Sequence, residues 1–149
     1  RFYEVRGYAP GRNLVGRGRD LKSQEIYSIF SGQLIDVNTI GDRRNLPAVG
    51  EWDKRWDSST PFAGHAIAVS QNTVLAAGVP MLEGFTVDDT NASFAGERGG
   101  IAWLLDAESG EKLQELRLDA APTWDGIAIA HGCYFICLKD GSVACFSGQ

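Results

Sequence analysis

The sequence predicts an all-β protein built from repeated units of four antiparallel strands, as in the blades of a β-propeller. Short apolar runs alternate with tight-turn sequences along much of the chain, and such runs are typical of strands. They recur in units of about 40–50 residues, the period of a propeller blade. A Ser-Gly element follows an apolar run at the same place in each unit. It occurs as Phe30-Ser31-Gly32-Gln33, Glu108-Ser109-Gly110-Glu111 and Phe146-Ser147-Gly148-Gln149.

The first unit is expected to lie mostly within residues 1–40. Residues 26–30 form its third strand, Ser31-Gly32 a turn, and residues 33–40 its outer strand. Residues 41–64 then form a connector. Its two tryptophans are expected to pack between units, or alternatively to lie exposed for stacking on a ligand. They are Trp52 and Trp56.

The second unit is predicted at residues 65–118 and has all four strands. Apolar runs at 66–69, 73–77 and 101–105 predict its first three strands. Residues 112–118 alternate imperfectly, and their Glu, Lys and Leu content also suits a helix. Their position between two strands favours an outer, half-exposed strand. A long polar insertion at residues 78–99 separates the second and third strands.

The third unit, at residues 126–149, is predicted to have three strands and to lack the outermost one. Asp140-Gly141 is its hairpin turn, because a tight turn of this kind needs positive φ. With about three blades, the chain is shorter than a usual propeller. We expect it to be the C-terminal part of a longer one. Alternatively, several copies assemble, or residues 2–6 supply the missing strand.

The composition is that of a folded domain. The chain has 149 residues, 44% apolar and 22% charged, which is enough for one domain with a core. Its net charge of −5 argues against general nucleic-acid binding. Residues 1–22 carry six basic and two acidic groups, so +4 there leaves −9 elsewhere. This basic segment is either a contact patch or a set of arginines on solvent-exposed strand faces.

No apolar run approaches the roughly 20 residues that cross a bilayer as a helix, so we expect no transmembrane segment. No signal peptide is recognisable either. However, the sequence begins at Arg1 without Met. We therefore expect that an upstream segment was removed or left out, and the missing signal says little about the compartment.

The three cysteines all lie in the third unit, and we expect them to be buried free thiols that act as small apolar side chains. Cys133 and Cys137 share one face of a strand but lie about 13 Å apart along it, too far to form a disulfide. With a two-residue turn, Cys145 lies opposite Ile136 and faces away from Cys137. A different turn length brings the sulfurs of Cys137 and Cys145 together.

Few polar residues suggest a metal site. His65 and His131 fall at opposite ends of equivalent first strands, so we expect structural or solvated roles for them. A zinc site needs further clustered ligands. Asp88, Asp89 and Asn91 offer hard oxygens for calcium, but a solvated acidic loop is the preferred interpretation.

A set of short motifs occurs in a fixed order across the second and third units. It consists of Leu105-Asp106-Ala107-Glu108-Ser109-Gly110-Glu111-Lys112, Pro122, Asp125-Gly126 and Lys139-Asp140-Gly141. With this pattern the chain resembles the PQQ-like (quinoprotein-type) β-propeller repeat proteins. More narrowly, the chain resembles the C-terminal part of large proteins from planctomycete-type bacteria in Leu75-Ala76-Ala77-Gly78-Val79-Pro80, Trp103, Pro122-Thr123-Trp124-Asp125-Gly126 and Val143-Ala144-Cys145-Phe146. The resemblance covers residues 56–149 well and residues 1–40 loosely.

This resemblance implies a propeller fold and, as in many relatives, a periplasmic or extracellular location. The dehydrogenases of the family bind a quinone beside an adjacent cysteine pair, with a calcium ion held by Glu, Asn and Asp. Because no cysteines are adjacent here, no cofactor-binding, metal-binding or catalytic residue is assigned from the family.

The sequence favours a non-enzymatic binding or scaffolding module that presents loops to a protein or glycan partner. It shows no nucleophile elbow, and its Gly-rich segment at residues 11–19 lacks the Gly-Lys-Ser/Thr ending of a phosphate loop. Long insertions in repeats tend to carry function, so residues 78–99 are the expected contact surface. The candidate contact residues are Glu83, Asp88, Asp89, Asn91 and Arg98.

Two alternatives remain at this point. The chain is a fragment of a quinone- or metal-dependent oxidoreductase whose site lies in other blades, or it is a structural subunit of a larger complex. In every case the expected partner is the remainder of a propeller or another protein chain.

Overall fold

The computed structural model describes residues 2–6, 27–32 and 54–147, and within them the fold is all-β with one short helix. No helix in this part of the chain has the length and apolar character needed to cross a membrane. The elements are β1 (Phe2–Arg6), β2 (Ser28–Gly32), β3 (Lys54–Ser59), β4 (Phe62–Val69), β5 (Thr73–Pro80), α1 (Val87–Ala95), β6 (Gly100–Asp106), β7 (Lys112–Leu118), β8 (Pro122–Ala130), β9 (Cys133–Leu138) and β10 (Val143–Ser147).

The strands form three antiparallel sheets. The first sheet has the order β1-β2-β3, the second β4-β5-β6-β7, and the third β10-β9-β8. In each sheet, strands that are consecutive among the described elements are hydrogen-bonded neighbours. This simple meander agrees with the predicted repeat of strands.

The second sheet has all four predicted strands, and three of them are longer than predicted, β4 and β5 by more than β6. β4 begins at Phe62, and β5 continues to Pro80. β5 is buried from Val74 to Pro80 because it lies inside the sheet with packed layers on both faces. β7 is mostly exposed because it forms the edge of the sheet. The prediction of an outer strand rather than a helix at residues 112–118 is therefore confirmed.

The first sheet differs from the prediction in two ways. Ser31 and Gly32 belong to strand β2 rather than to a turn. The predicted connector contains β3, which pairs with β2. β3 was not predicted because most of its residues are polar or charged. In the structure its side chains do alternate: Trp56 and Ser58 are half-buried, and the residues on either side of them are exposed. The predicted strand at residues 33–40 lies outside the described residues.

Trp56 packs between sheets, as predicted. Its indole Nε1 donates a hydrogen bond to the carbonyl oxygen of Ala107, 3.2 Å away, in the turn that follows β6 of the second sheet. Ser58 Oγ donates to the carbonyl oxygen of Gly110, 2.9 Å away in the same turn. The Ser-Gly turn of the second unit is thus a contact point for the first sheet. Trp52 lies outside the described residues.

The third sheet has the three predicted strands, and the Asp140-Gly141 hairpin joins β9 to β10. The suggestion that residues 2–6 supply its missing strand is wrong. These residues form β1, which pairs with β2 along its whole length, from Phe2 opposite Gly32 to Arg6 opposite Ser28. Within the described residues, no strand pairs with the outer edge of β10.

The second sheet is packed on both faces, and this arrangement sets the order of the three sheets. One face contributes Val74 and Ala76 to a core shared with Ile29 of the first sheet. The other face contributes Leu75 and Ala77 to a core shared with the third sheet. Because neighbouring residues of a strand point to opposite faces, β5 contributes to both cores. β6 does the same, with Ile101 in one core and Ala102 in the other. The sheets therefore stack in chain order.

Candidate functional site

The insertion between β5 and β6 contains helix α1, which the sequence analysis did not predict. Thr86 is the N-cap, and its side chain accepts a hydrogen bond from the backbone NH of Asp89, 3.1 Å away. The Asp89 carboxylate in turn accepts from the backbone NH of Thr86, 3.0 Å away. This reciprocal pair is a capping box. The spacing Thr86-x-x-Asp89 was the available signal for a helix.

The helix is attached to two sheets. Ser93 Oγ, which is buried, donates to the carbonyl oxygen of Pro80 at the end of β5. Lys139 Nζ, just after β9 in the third sheet, donates to the carbonyl oxygen of Phe94, 3.2 Å away. Phe94 also packs against a buried cluster that includes Ala121. The insertion therefore covers the junction between the second and third sheets as an ordered surface.

Four of the five predicted contact residues are exposed on this surface: Glu83, Asp88, Asn91 and Arg98. Asp89 is half-buried, and its carboxylate also forms an ion pair with Arg98. Hydrogen bonds from Thr86 are the main reason why the pKa of Asp89 is lowered, and the charge of Arg98 adds to the effect. Asp89 is thus a capping residue rather than a free contact residue.

The outer surface of the insertion combines negative charge with one apolar side chain. Residues 81–99 carry four acidic groups and one basic group, a net charge of −3. Val87 is 77% exposed. Asn91 lies four residues after Val87 and three after Asp88, so it neighbours both of them on the helix surface. We call this face of α1, defined by Val87, Asp88 and Asn91, the acidic helix face.

The interpretation of Asp88, Asp89 and Asn91 as a solvated acidic loop is wrong, because all three lie in α1. No group of three or more His, Cys, Asp or Glu side chains in the described ranges is placed to hold a metal ion. The carboxylate of Asp89 already accepts hydrogen bonds from Thr86 and pairs with Arg98.

A second candidate site is a cavity of about 310 Å³ where β1, β4 and β8 meet. Strand β1 contributes Tyr3 and Val5, β4 contributes residues 64–67, and β8 contributes Trp124 and Asp125. We call it the bulge cavity, because a register shift occurs on each of the two longer strands that line it. One lies between Gly64 and Ala66. The other lies between Pro122 and Ile127 of β8. Bulges of this kind redirect side chains.

His65, the extra residue of the first bulge, is only 5% exposed. Its Nδ1 lies 3.1 Å from the carbonyl oxygen of Pro122. Because a carbonyl can only accept, Nδ1 must carry the proton, and Nε2 is left as an acceptor. Nε2 is buried and has no hydrogen-bond partner. An unpaired buried group of this kind costs about 1–3 kcal/mol.

The imidazole of His65 is kept neutral by its surroundings. Burial is the main cause that lowers its pKa, and the positive charge of Lys139 lowers it further. The hydrogen bond to Pro122 acts in the opposite direction but does not outweigh them. At neutral pH the folded protein therefore holds an acceptor nitrogen at this position, not a charged imidazolium.

Trp124 and Asp125 lie beside His65 on the second bulge. The indole of Trp124 stacks on the imidazole, with ring centroids 4.0 Å apart and planes 25° apart. Trp124 is nevertheless 66% exposed. Asp125 is exposed and has a φ of 54°, a left-handed conformation that is uncommon for a residue other than glycine. Such conformations often occur at functional sites.

The sequence analysis assigned His65 a structural or solvated role and did not select Trp124 or Asp125 as site residues. His65 is indeed buried and hydrogen-bonded. His65 lies next to Trp124 because of two bulges that belong to different sheets. Strand periodicity in the sequence does not predict these bulges. His131 lies in the turn after β8 and is exposed, so it fits the predicted solvated role.

A further groove, of about 400 Å³, lies beside β6 and β7 and contains the charged residue Glu115. Glu115 accepts hydrogen bonds from Trp103 Nε1 and Lys112 Nζ, each 3.1 Å away, and pairs with Arg117. Partial burial alone would raise the pKa of Glu115, but these neighbours hold it below its usual value. The carboxylate of Glu115 is already satisfied by these three neighbours.

The cysteines are free, but the expectation that they are buried is wrong for Cys137 and Cys145, which are exposed. Ala144, not Cys145, lies opposite Ile136, because the turn is longer than two residues. Cys145 instead pairs with Phe135 and lies on the same face as Cys133 and Cys137. Partial desolvation of the sulfur by its neighbours, together with the nearby Cys133, raises the pKa of the Cys145 thiol.

Comparison with protein-family models, with curated proteins and with solved structures finds no match to this chain. The resemblance to PQQ-like propellers therefore stays a prediction.

Proposed function

We propose that this chain is a non-enzymatic binding module that contacts a partner protein through the acidic helix face. The observation that carries the proposal is that Val87, Asp88 and Asn91 are exposed on a helix that is fixed to two sheets. The fixing contacts are those of Ser93 and Lys139 described above. A surface that is ordered before binding loses less conformational entropy when it binds.

The chemistry of this surface suggests the kind of partner. The insertion has a net charge of −3, so a basic protein surface is its electrostatic complement. Val87 projects as a single large apolar side chain that is 77% exposed. A shallow apolar recess on a basic surface would accept it. Charged residues around such a contact speed association, and the apolar residue contributes more to lifetime.

We further propose that the three sheets are successive blades of a larger propeller, with the next blade on the outer face of the third sheet. That face is the one opposite Ile136 and Leu138, which pack against the second sheet. It carries Cys137, Val143 and Cys145, all exposed, and Val143 is 57% exposed. An apolar sheet face of this kind is usually covered by another element.

Charge reversal on the acidic helix face tests the binding proposal. The variant Asp88→Lys/Asn91→Lys changes two exposed residues, and Gln114→Lys/Asp119→Lys makes the same change of charge at two exposed residues outside α1 as a matched control. Point variants are preferable to deletion of residues 78–99, because deletion would also remove Phe94 and uncover a buried cluster. The immobilised wild type first captures a partner from its native source, and that partner is then purified.

The affinities of the purified partner for the three forms are then measured. We expect at least a tenfold weaker affinity for the helix variant and an unchanged affinity for the control. Equal affinities for all three forms would place the contact elsewhere on the chain. No captured partner under conditions that preserve the fold would also count against the proposal.

A further inference from the structure

The bulge cavity contains polar and aromatic groups that serve neither the packing of the sheets nor the acidic helix face. We propose that it binds one ring of a neutral sugar, which donates hydroxyl hydrogen bonds to the Asp125 carboxylate and to His65 Nε2 and packs its C–H face against the Trp124 indole once that ring has shifted off the imidazole. This site lies on β4 and β8, so it does not depend on the proposed contact through α1.

The first step in this inference is the missing donor at His65. Its side chain lines the cavity and is only 5% exposed, and its Nε2 is an acceptor without a protein partner. Buried polar groups in proteins are nearly always hydrogen-bonded, so an unpaired one calls for a partner. A ligand hydroxyl is a donor that fits into a small space.

The second step is the exposed aromatic ring. Trp124 rests with one face on the imidazole of His65, at a centroid distance of 4.0 Å. It is nevertheless 66% exposed, so a large part of its apolar surface is available. An exposed indole beside polar groups provides area for contact with an apolar face at low entropic cost. A pyranose ring has such a C–H face, and hydroxyl groups surround it.

The third step is the balance of charge and hydrogen bonding. His65 Nε2 and the Asp125 carboxylate are both acceptors, so the ligand must supply donors. An acidic sugar would be repelled by Asp125. A metal cation is disfavoured because His65 and Asp125 belong to no group of three or more such ligands in the described part of the chain. A neutral polyhydroxylated ring supplies several donors without either conflict.

The size of the cavity limits the ligand further. Its volume of about 310 Å³ lies at the lower end of the range of about 300–1,000 Å³ that is common for small-molecule pockets. We therefore expect one sugar ring inside and any further rings outside. Because Trp124 covers the imidazole of His65, its ring must shift when a hydroxyl approaches Nε2, and this shift supplies a spectroscopic signal.

The test is a titration of the whole chain with glucose, galactose, mannose and N-acetylglucosamine, followed by calorimetry and by tryptophan fluorescence. We expect saturable millimolar binding of at least one of them. Trp124→Ala should weaken this binding at least tenfold, and Asp125→Asn about threefold to tenfold. The control Leu113→Ala changes an exposed apolar residue on β7 and should leave binding unchanged.

Nitrogen-15 NMR of the histidines distinguishes a binding role of His65 from a purely structural one, because a purely structural His65 would keep the same resonances when sugar is added. We expect the protonated-Nδ1 tautomer for His65 in the free protein, and a shift of its Nε2 resonance when the sugar is added. His131 serves as the internal control. A shift at His65 that is absent in Trp124→Ala supports the proposal.

Three outcomes would overturn it. The first is the absence of saturable binding to every sugar while Nε2 is already hydrogen-bonded in the free protein, because a water molecule would then occupy the site. The second is binding that Trp124→Ala leaves unchanged. The third is tighter binding of n-butylammonium than of any sugar, since that result would identify a cation site.

Discussion

The contact between Trp56 and the Ser109-Gly110 turn provides a sharp test of how the first and second sheets pack. Gly110 has a φ of 74°, and a Cβ atom added to it would lie 2.4 Å from Trp56 Cδ2 and 2.6 Å from Cε3. Gly132 has nearly the same φ, 72°, but a Cβ atom there would meet nothing within 4 Å. Gly132→Ala is therefore a matched control for Gly110→Ala.

The two substitutions share one cost and differ in another. The left-handed conformation costs about 1–2 kcal/mol for a residue with a side chain, and both positions bear this cost. Overpacking typically adds about 1–3 kcal/mol, and only Gly110→Ala bears it. We therefore expect a loss of about 1–2 kcal/mol for Gly132→Ala and about 2–5 kcal/mol for Gly110→Ala. In a chain of this size, 1 kcal/mol corresponds to about 2–4 °C in Tm.

The assay is urea denaturation followed by circular dichroism, because tryptophan fluorescence would itself be changed in the Trp56 variants. In a Trp56→Ala background, Gly110→Ala should cost no more than Gly132→Ala, since the overlapping ring is gone. Equal losses at the two glycines in the wild-type background would refute the packing of Trp56 on this turn. So would an undiminished cost of Gly110→Ala in the Trp56→Ala background.

Three further predictions follow from single sites. The folded-state pKa of His65 lies below its usual 6.5. As the pH falls, His65 is therefore protonated in the unfolded chain before it is protonated in the folded protein. The free energy of unfolding should then be unaffected above pH 6.5 and fall as the pH drops below it, and His65→Phe should remove this part of the slope in urea titrations. Thr86→Ala should cost about 1 kcal/mol through loss of the helix cap, whereas Val87→Ala should change the urea midpoint little; equal effects would contradict the capping box. Cys133→Ser should speed the alkylation of Cys145 by iodoacetamide near neutral pH, measured by mass spectrometry, because a raised thiol pKa limits the reactive thiolate; an unchanged rate would argue against contact between the two thiols.

Strand periodicity and turn residues predicted much of the second and third sheets. The continuous apolar run at residues 101–105 predicted a buried strand, and β6 is that strand. Asp140-Gly141 predicted the hairpin between β9 and β10. These signals are local: alternation reflects which face of a strand is buried, and positive φ restricts which residues form a tight turn. A single sequence contains them in full.

The candidate site was predicted only in part. The insertion at residues 78–99 was selected by its length and polarity, and four of its five proposed contact residues are exposed. The sequence did not show that Asp89 and Asp88 have different roles, because the difference comes from the helix cap. The cap gives the Asp89 carboxylate a hydrogen-bond partner within the protein, whereas Asp88 is exposed to solvent. The bulge cavity was not predicted, because nothing in the local sequence marks His65 as unpaired.

By itself, the sequence determined the all-β class, the meander of strands and the position of the insertion, because these depend on neighbours within a few residues. The tertiary structure decided the pairing of β1 with β2, the recruitment of β3 from the predicted connector, and the register shifts that bring His65 beneath Trp124. Those features depend on contacts between sheets distant in sequence. The burial and the hydrogen bonds that stabilise these pairings and register shifts form only when the sheets pack together.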